Sequence, residues 1–397
     1  MALYVGIGLS SRSSSDPFAA GQEAAAAARL ELEGEEPRFA IVLASAMFDQ
    51  PELVRGVITA LQGVPFVGCT TAGLIADSAI REHAVGVLVM GSSDVVFTPI
   101  KVERISADMR NAGRRFGEIA VGDSRGKPKA AFIFSDALSG NGTELVRGVF
   151  EILGSDFALV GGAAGDDMQF KKTYQYTEDG VLTDAAVGVA LSGAITAEVG
   201  ADHGWSRIGK PYVATKAKGT TLYELDGKPA FTVYEEYLGK RSIDIKKALS
   251  LLAVTYPLGM KTTESEKVMI RVPLAVGEDG SIVCGAELIE GSEIYLMVGT
   301  IEGAFDAARA TAKALMEKKG AKTARLAFLS NCVARKILYG DRGMQEIDML
   351  RSIFGPGARI FGFYSYGQIA PFEEKAININ SCDPGFYEQS ISIAVFG

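Results

Sequence analysis

Three stretches of the chain repeat one pattern of apolar and polar positions. Each opens with a continuous apolar run of the kind expected for a strand that is covered on both faces. These runs lie at 40–44, 131–134 and 326–329. An amphipathic helix is predicted next, because apolar residues such as Leu53, Val57 and Leu61 recur every four positions. A second apolar strand is predicted to end at a glycine, which is Gly68, Gly161 or Gly362. The pattern predicts a βαβ unit in three copies.

Further elements flank each copy of the unit. A helix is predicted upstream of each copy, at about 18–32, 106–121 and 302–319. A strand with alternating polarity is predicted downstream of each copy, at 83–91, 184–193 and 388–397. We therefore expect an α/β fold, with repeated βαβ units forming mixed sheets that are flanked by helices.

The segment between the second and third copies differs from the rest. From about residue 197 to 292, short alternating runs are separated by Gly, Asp-Gly and Pro, which predicts β-hairpins around a short helix in TVYEEYLG. This β-rich insert would open a second domain. We predict domains at 1–200 and 201–397, the first with two βαβ units and the second with the insert and the third unit.

Composition narrows the class of protein. The chain has 397 residues, 48% of them hydrophobic, and a net charge of −8. An acidic surface repels phosphate backbones and anionic membranes, so neither nucleic acid nor a membrane is expected as a partner. The apolar runs are too short to span a bilayer, and we expect a cytoplasmic protein. Four cysteines without a C-x-x-C pair favour reduced thiols, and two histidines leave little basis for a metal site.

Polar residues and glycines cluster where the predicted strands end. Ligands of open α/β sheets bind beyond the carboxyl ends of the strands, where hydroxyls, amides and backbone N–H groups converge. The candidate ligand contacts are Cys69, Thr70, Thr71, Asp136, Asn141, Gly162, Asp166, Asn331, Cys332, Arg335, Tyr364 and Tyr366. Arg335 is the natural clamp for a carboxylate. No catalytic or metal-binding residue is assigned.

Each of these candidates has a structural alternative. The glycines could simply form tight strand exits, and Arg335 could pair with an acidic surface residue. The adjacent Asp166 and Asp167 could hold a metal or exchange protons, but such residues in a loop more often cap a turn. His203 beside Trp205 could ligate haem or stack on a ligand, whereas a lone histidine is usually a solvated loop residue.

Several motifs together resemble the FIST (F-box and intracellular signal transduction) family. VPFVGCTTAGLI and FALVGGAAGDDMQFKKTYQY are similar to its N-terminal region. GWSRIGKPYVATKAKGTTLYELDGKPA, FLSNCVARKILYG and FGFYSYGQIAPF are similar to the run into its C-terminal region. The resemblance covers nearly the whole chain in the expected order.

The resemblance implies a bacterial-type sensory module that binds a small ligand, such as an amino acid or a small carboxylate. Its output would pass to a separate signalling partner, such as a histidine kinase. Two departures from the family pattern matter. Gln368 stands where the family usually has glutamate, and Tyr387-Glu388-Gln389-Ser390 stands where it tends to have a His-Asn-Gln-Thr-like stretch.

Three functional hypotheses follow. The first is a sensor that binds a small molecule without turnover and needs no cofactor, so the chain is not expected to be an enzyme. The second is a haem-dependent nitric oxide sensor, which some relatives suggest and which would need a histidine such as His203. The third is a thiol-dependent enzyme that uses Cys69 or Cys332, which would need a depressed thiol pKa.

Overall fold

The computed structural model describes residues 3–10, 12, 14–32, 34–77, 79–122, 126–239, 249–261, 267–319, 324–371 and 385–397. The first repeat contains β1 (Tyr4–Ser10), α1 (Pro17–Leu30), β2 (Phe39–Ser45), α2 (Gln50–Leu61), β3 (Phe66–Thr71), β4 (Leu74–Ala76), β5 (Ala79–Arg81), β6 (Val85–Gly91) and β7 (Val95–Glu103). The second contains α3 (Met109–Gly122), β8 (Ala130–Ser135), α4 (Gly142–Leu153), β9 (Ala158–Ala163), β10 (Gln175–Thr177), β11 (Gly180–Leu182), β12 (Ala185–Gly193) and β13 (Ala197–Asp202).

The remaining elements belong to the insert and to the third repeat. The insert contains β14 (Ser206–Lys218), β15 (Thr221–Leu225), β16 (Lys228–Pro229), α5 (Thr232–Leu238), α6 (Leu249–Thr255), β17 (Leu258–Lys261), β18 (Val268–Arg271), β19 (Pro273–Val276), β20 (Ile282–Cys284) and β21 (Glu293–Val298). The third repeat contains α7 (Ile301–Lys319), β22 (Leu326–Cys332), α8 (Val333–Tyr339), α9 (Gly343–Phe354), β23 (Arg359–Ser365), β24 (Gly367–Ile369), β25 (Phe386–Tyr387) and β26 (Ile391–Phe396).

The predicted α/β fold with three βαβ units is confirmed. Strands β2 and β3, β8 and β9, and β22 and β23 form the three parallel pairs. Antiparallel neighbours complete each pair into a six-stranded mixed sheet. The insert forms the predicted hairpins, which join in a separate antiparallel sheet, with α5 as its short helix.

Two details of the βαβ units differ from the expectation. The second strands do not end at their glycines but run on to Thr71, Ala163 and Ser365, because the parallel ladder continues past those glycines. The third unit has two helices between its parallel strands where one was expected, since α8 starts directly at Val333 and α9 follows a short 3₁₀ turn.

The three repeats exchange short strands in a cycle. After β3 the chain crosses to pair β4 with β23 of the third repeat. After β9 it crosses to pair β10 with β3 of the first, and after β23 it crosses to pair β24 with β9 of the second. The exchange draws the carboxyl ends of the parallel strands towards one region of the molecule.

One apolar core fills the space between the three sheets. It contains rings from different sheets, such as Phe132 and Phe328, whose centroids are 5.0 Å apart. Helix pairs α1 with α2, α3 with α4, and α7 with α9 cover the outer faces. The strands of the three parallel pairs are thus buried on both faces, which explains their continuous apolar sequences.

Strands from both sides of residue 200 share sheets. Strand β13 pairs with β26, and β4 pairs with β23. The division into domains at 1–200 and 201–397 stays a prediction. No helix among the described residues is both long and apolar enough to cross a membrane.

Candidate functional site

A cavity of about 160 Å³ lies at the carboxyl ends of β8 and β9. Its walls come from the second repeat, the third repeat and the insert. The lining residues are Ser135, Asp136, Ala137, Leu138, Gly140, Gly142, Ala163, Phe170, Leu274, Gly285, Tyr366, Phe386 and Glu388. We call this space the repeat-end cavity. Pockets for drug-sized ligands span about 300–1,000 Å³, so this one suits a smaller molecule.

Two other grooves are of similar size but differ in position. One of about 180 Å³ lies between β13 and α7, and one of about 150 Å³ lies on the insert beside α5. Neither includes a residue from the ends of the parallel strands. The repeat-end cavity is therefore the better match to the position at which α/β sheets bind ligands.

Asp136 is held rigidly at the end of β8. One carboxylate oxygen accepts hydrogen bonds from the Leu138 N–H at 2.9 Å and from the Thr173 hydroxyl at 2.8 Å. The other accepts the Asp184 N–H at 2.9 Å. Only 8% of the residue is exposed, so a negative charge is fixed in the cavity wall.

A loop that follows β9 brings an aromatic ring to the cavity. The Asp166 carboxylate accepts the N–H groups of Phe170 at 2.8 Å, Lys171 at 2.6 Å and Lys172 at 2.9 Å, and also the Tyr366 hydroxyl. Asp166 therefore caps a turn, which was the structural alternative to a role in metal binding or proton transfer. The loop holds Phe170 against Tyr366, with ring centroids 4.4 Å apart and ring planes 16° apart.

Backbone strain marks the same loop. Asp167, Met168 and Phe170 have φ angles of 54°, 63° and 52°, in the left-handed region that bulky residues rarely adopt. Such residues persist where surrounding contacts hold them, and they concentrate at ligand clamps and switches. The strain marks this loop as a part of the cavity wall that a change of conformation could relax.

Asp167 ties the loop to the first repeat. One carboxylate oxygen accepts the Ser45 hydroxyl and the Ala46 N–H, both at 2.8 Å. Burial raises the pKa of Asp167, while its hydrogen bond from Ser45 and the charge of His83 oppose the shift. Through Asp166 and Asp167 one loop of the second repeat contacts both of the other repeats.

Glu388 and Phe386 enter the cavity through space left by glycines. A Cβ atom on Gly285 would lie 2.1 Å from Glu388 Oε1, and one on Gly142 would lie 2.4 Å from the Phe386 ring. The other Glu388 oxygen accepts the Val272 N–H at 3.1 Å, which joins the end of the third repeat to the insert. A side chain at either position would therefore displace Glu388 or Phe386 from its present place in the cavity wall.

The predicted ligand contacts do not all meet at this cavity. Asp136 and Tyr366 line it, Asp166 holds its loop, and Asn141 caps α4 beside it by accepting the Thr143 N–H. Gly162 lies within β9, paired with Gln368. The contact role of each residue stays a prediction.

The first-repeat candidates lie within strand β3. Cys69 packs in the central core, and its burial raises the pKa of the thiol. The Thr70 hydroxyl accepts the Tyr174 N–H, and the Thr71 hydroxyl accepts the Gly73 N–H. None of the three lines the repeat-end cavity, because β3 extends further than its glycine suggested.

Arg335 belongs to a fully buried ion pair. Its guanidinium contacts Glu346 at 2.6 Å, and both side chains have 0% exposure. It also donates to the carbonyl oxygens of His203 at 2.7 Å and Ala304 at 2.9 Å. The structural alternative, an acidic partner at the surface, is wrong in its location, since Glu346 is buried in α9. The bonds to Glu346, His203 and Ala304 use Nη1 and Nη2, while Nε has no hydrogen-bond partner among the described residues. The buried partner of the charge weakens the case for a carboxylate clamp.

Three other candidates, Asn331, Cys332 and Tyr364, lie around this ion pair. We call the ion pair together with Asn331 and Tyr339 the Arg335–Glu346 cluster. Asn331 donates to Glu346 at 2.7 Å, and Tyr339 donates to it at 2.8 Å. Cys332 precedes α8, and its burial raises the pKa of the thiol. Tyr364 is fully buried, and its hydroxyl has no hydrogen-bond partner among the described residues.

His203 does not fit a haem ligand. Its Nδ1 accepts the Trp205 N–H at 2.8 Å, and its Nε2 lies 3.1 Å from the Val268 carbonyl oxygen. Both ring nitrogens are thus engaged, and burial lowers the pKa of the ring. The alternative interpretation, a solvated loop residue, is also wrong, because His203 is partly buried against Val268 of the insert. Trp205 is buried and donates to the Val254 carbonyl oxygen at 3.2 Å.

Thiol and metal chemistry find little support in the described part of the chain. Cys69, Cys284 and Cys332 are buried and unpaired, and burial raises the pKa of each thiol, the reverse of activation. Cys382 lies outside the described residues. No group of three metal-ligating side chains occurs among the described residues.

The two departures from the family pattern fall near the cavity. Gln368 is fully buried, donates to the Ser365 hydroxyl at 2.9 Å and accepts the Ser390 hydroxyl at 3.0 Å. Both ends of its amide are used, which a glutamate could not reproduce. Glu388, in the second departure, is a cavity wall residue.

Sequence reasoning missed much of the cavity wall. Phe170, Leu274, Gly285 and Phe386 come from segments without a repeat signature, and the insert gave no sign of facing the repeats. One signal was available for Glu388, because it stands in a stretch where the chain departs from its relatives. Glu346 lies in an ordinary amphipathic helix, and nothing in its sequence context marks it as the partner of Arg335.

The chain belongs to the FIST family. The model of the FIST N domain matches residues 38–228, and the model of the FIST C domain matches residues 230–371. FIST domains are associated with sensing in signal transduction. The repeat-end cavity has walls from both matched regions.

Curated relatives are similar along most of the chain. The uncharacterized protein MJ1623 of Methanocaldococcus jannaschii is 25% identical over 367 residues, which cover 83% of this chain and 69% of the relative. The uncharacterized protein Rv0628c of Mycobacterium tuberculosis is 25% identical over 383 residues, which cover 93% of this chain and 95% of the relative.

Solved structures are only distantly similar. A cyanuric acid hydrolase from A. caulinodans has a TM-score of 0.28 and 9% identity, over 48% of this chain and 71% of its own. A PurL of T. maritima has a TM-score of 0.26 and 9% identity, over 100% of this chain and 71% of its own. Scores this low carry no conclusion about fold or function.

Proposed function

We propose that this protein is a sensor that binds a small ligand in the repeat-end cavity, without turnover, and passes its state to a separate signalling protein such as a histidine kinase. The observation that carries the proposal is the composition of the cavity wall. Two repeats and the insert each contribute side chains, and both family-matched regions take part. A molecule bound there would contact all of these segments at once.

The loop at 166–172 supports coupling between the cavity and the rest of the fold. Phe170 lines the cavity, while Asp166 bonds to Tyr366 and Asp167 bonds to Ser45. A ligand that moves Phe170 would therefore act on contacts to the first and third repeats. A ligand shifts a conformational equilibrium only through its different affinity for the two states. Backbone strain concentrates at ligand clamps and switches, and this is why we assign the change of conformation to this loop.

The proposal is tested by a thermal-shift screen of small amines, amino acids, carboxylates and neutral analogues. A ligand at 100 times its Kd stabilises the folded state by about 2.7 kcal/mol, which such a screen detects. Hits are repeated on Leu138→Trp, because Leu138 lines the cavity and is 45% exposed, so a larger ring can fill the space without disturbing the core.

The matched control is Leu30→Trp, at an exposed position of α1. We expect hits to lose their stabilising effect in Leu138→Trp and to keep it in Leu30→Trp. A panel without hits, or hits that are unaffected by Leu138→Trp, would contradict the proposal.

A further inference from the structure

The charged groups of the repeat-end cavity point to the chemistry of its ligand. Resting on the function proposed above, we propose that the ligand carries an organic ammonium group, which binds between Asp136, Glu388 and the aromatic rings of Phe170, Tyr366 and Phe386. Two carboxylates line this cavity, and among the described residues that line it none is lysine or arginine. The wall therefore selects against small carboxylates.

The start of α4 does not reverse this charge. A helix N-terminus carries roughly half a positive charge, compared with two full negative charges on the carboxylates. Its capacity to bind an anion is also partly used, because the Asn141 side chain accepts the Thr143 N–H at 3.1 Å and its carbonyl oxygen accepts the Glu144 N–H at 3.1 Å. An anion in the cavity would meet net repulsion.

The nearby buried cations do not reverse it either. Arg271 is fully buried behind the wall, and it donates to the carbonyl oxygens of Glu287 and Ile270. Arg147 pairs with the carboxylates of Glu144 and Glu287. Counting Arg271 against Asp136 and Glu388 still leaves one net negative charge at the cavity.

Three aromatic rings complete the environment of an ammonium group. Aromatic rings attract a cation within about 6 Å of the ring centroid, and recognition of substituted ammonium ions by aromatic walls is a common use of this attraction. Phe170 and Tyr366 stack at 4.4 Å, which fixes both rings at the cavity. The carbon atoms of an alkylammonium would pack on these rings while its charge faces the carboxylates.

Several features of the cavity wall hold its side chains in place. Gly285 leaves the space that the Glu388 carboxylate occupies, and Gly142 leaves the space for the Phe386 ring. Asp136 is fixed by three hydrogen bonds. A preorganised anion costs less to align with a cation than a flexible one does.

The test is isothermal titration of the full chain with choline, its neutral isostere 3,3-dimethyl-1-butanol, methylammonium and acetate. We expect at least one of the two cations to bind about ten-fold or more tightly than the neutral alcohol and acetate. Glu388→Gln should weaken that binding about ten-fold, because the side chain keeps its size and loses its charge. Glu278→Gln, at an exposed site of the insert, should leave it unchanged.

Each other outcome is decisive. If acetate or another carboxylate binds in a way that Leu138→Trp abolishes, the ammonium assignment falls and the sensor proposal stands. The assignment is also overturned if neither Glu388→Gln nor Asp136→Asn changes the binding of the cation. Asp136→Asn is included in case Glu388→Gln fails to fold. If no compound of the broader screen binds, both proposals fall.

Discussion

Equivalent strand ends differ between the second and third repeats, because one faces a cavity and the other lies in a buried cluster of charged and polar side chains. At the end of β8, Asp136 faces a cavity of about 160 Å³ with aromatic walls. At the end of β22, Asn331 lies in the Arg335–Glu346 cluster, where the ion pair has 0% exposure. Both ends are rich in polar residues, and both attracted ligand predictions from the sequence.

The difference lies in the charges that line each region. In the Arg335–Glu346 cluster, the carboxylate accepts bonds from Arg335, Asn331 and Tyr339, so opposite charges neutralise each other inside the protein. In the repeat-end cavity, the lining carboxylates have like charge and no lining cation among the described residues. A cluster of the first kind stabilises the fold, whereas the second kind is the one to which we assign a ligand.

The largest expected effect is on the buried ion pair. Glu346→Gln should lower the free energy of unfolding by about 3–5 kcal/mol, because it leaves the Arg335 charge buried without its partner. Asp348→Asn on the same helix is the control, since its pair with Arg351 is exposed and 3.7 Å long, and should cost less than about 1 kcal/mol. Chemical denaturation measures both, and equal losses would contradict the structural role of the cluster.

A smaller difference in the free energy of unfolding is expected between variants of two nearby tyrosines, Tyr366 and Tyr364. Tyr366→Phe removes the hydroxyl that Asp166 accepts and should lower the free energy of unfolding by about 1.5 kcal/mol. Tyr364→Phe removes a buried hydroxyl that has no partner among the described residues, so it should leave stability unchanged or raise it by up to about 1 kcal/mol.

The same denaturation series decides this comparison. A larger loss for Tyr364→Phe than for Tyr366→Phe would show that the loop at 166–172 is not anchored as described.

The smallest effect concerns pH. Burial lowers the pKa of His203 in the folded protein, so below about pH 6.5 the unfolded chain binds a proton that the folded chain does not. This group should therefore lower stability progressively as the pH falls through about 6.5, by at most about 1 kcal/mol down to pH 5.5, and its contribution fades above pH 7.

Variants isolate the contribution of this histidine. His203→Asn should flatten the fall in stability towards low pH, whereas His83→Asn, at a half-exposed site, should not. Denaturation curves at several pH values measure it. An unchanged pH dependence in His203→Asn would contradict the buried neutral form.

The sequence predicted the elements better than it predicted the site. Each βαβ unit buries its strands on both faces, which imposes an apolar pattern that is visible locally, so the strand at 40–44 and the helix with Leu53 were found. The cavity depends on crossovers between repeats and on the docking of the insert. No local pattern encodes that Tyr366 meets Phe170 or that Glu388 meets Val272.

Arg335 also shows what the sequence does not reveal, which is whether a charged side chain is already paired within the fold. Its residue type and its place after a strand predicted a clamp for a ligand, but whether an arginine is free depends on its partners. Glu346 lies eleven positions away on another helix, and only the packing of α8 against α9 brings the two together. A sequence can suggest a charged group without showing whether it is neutralised.

The most direct test of the account is a crystal structure of the protein with the tightest ligand from the screen. We predict density in the repeat-end cavity, with the ligand nitrogen within about 4 Å of a carboxylate oxygen of Asp136 or Glu388. A ligand bound elsewhere, or one that places a carboxylate against these two residues, would contradict it.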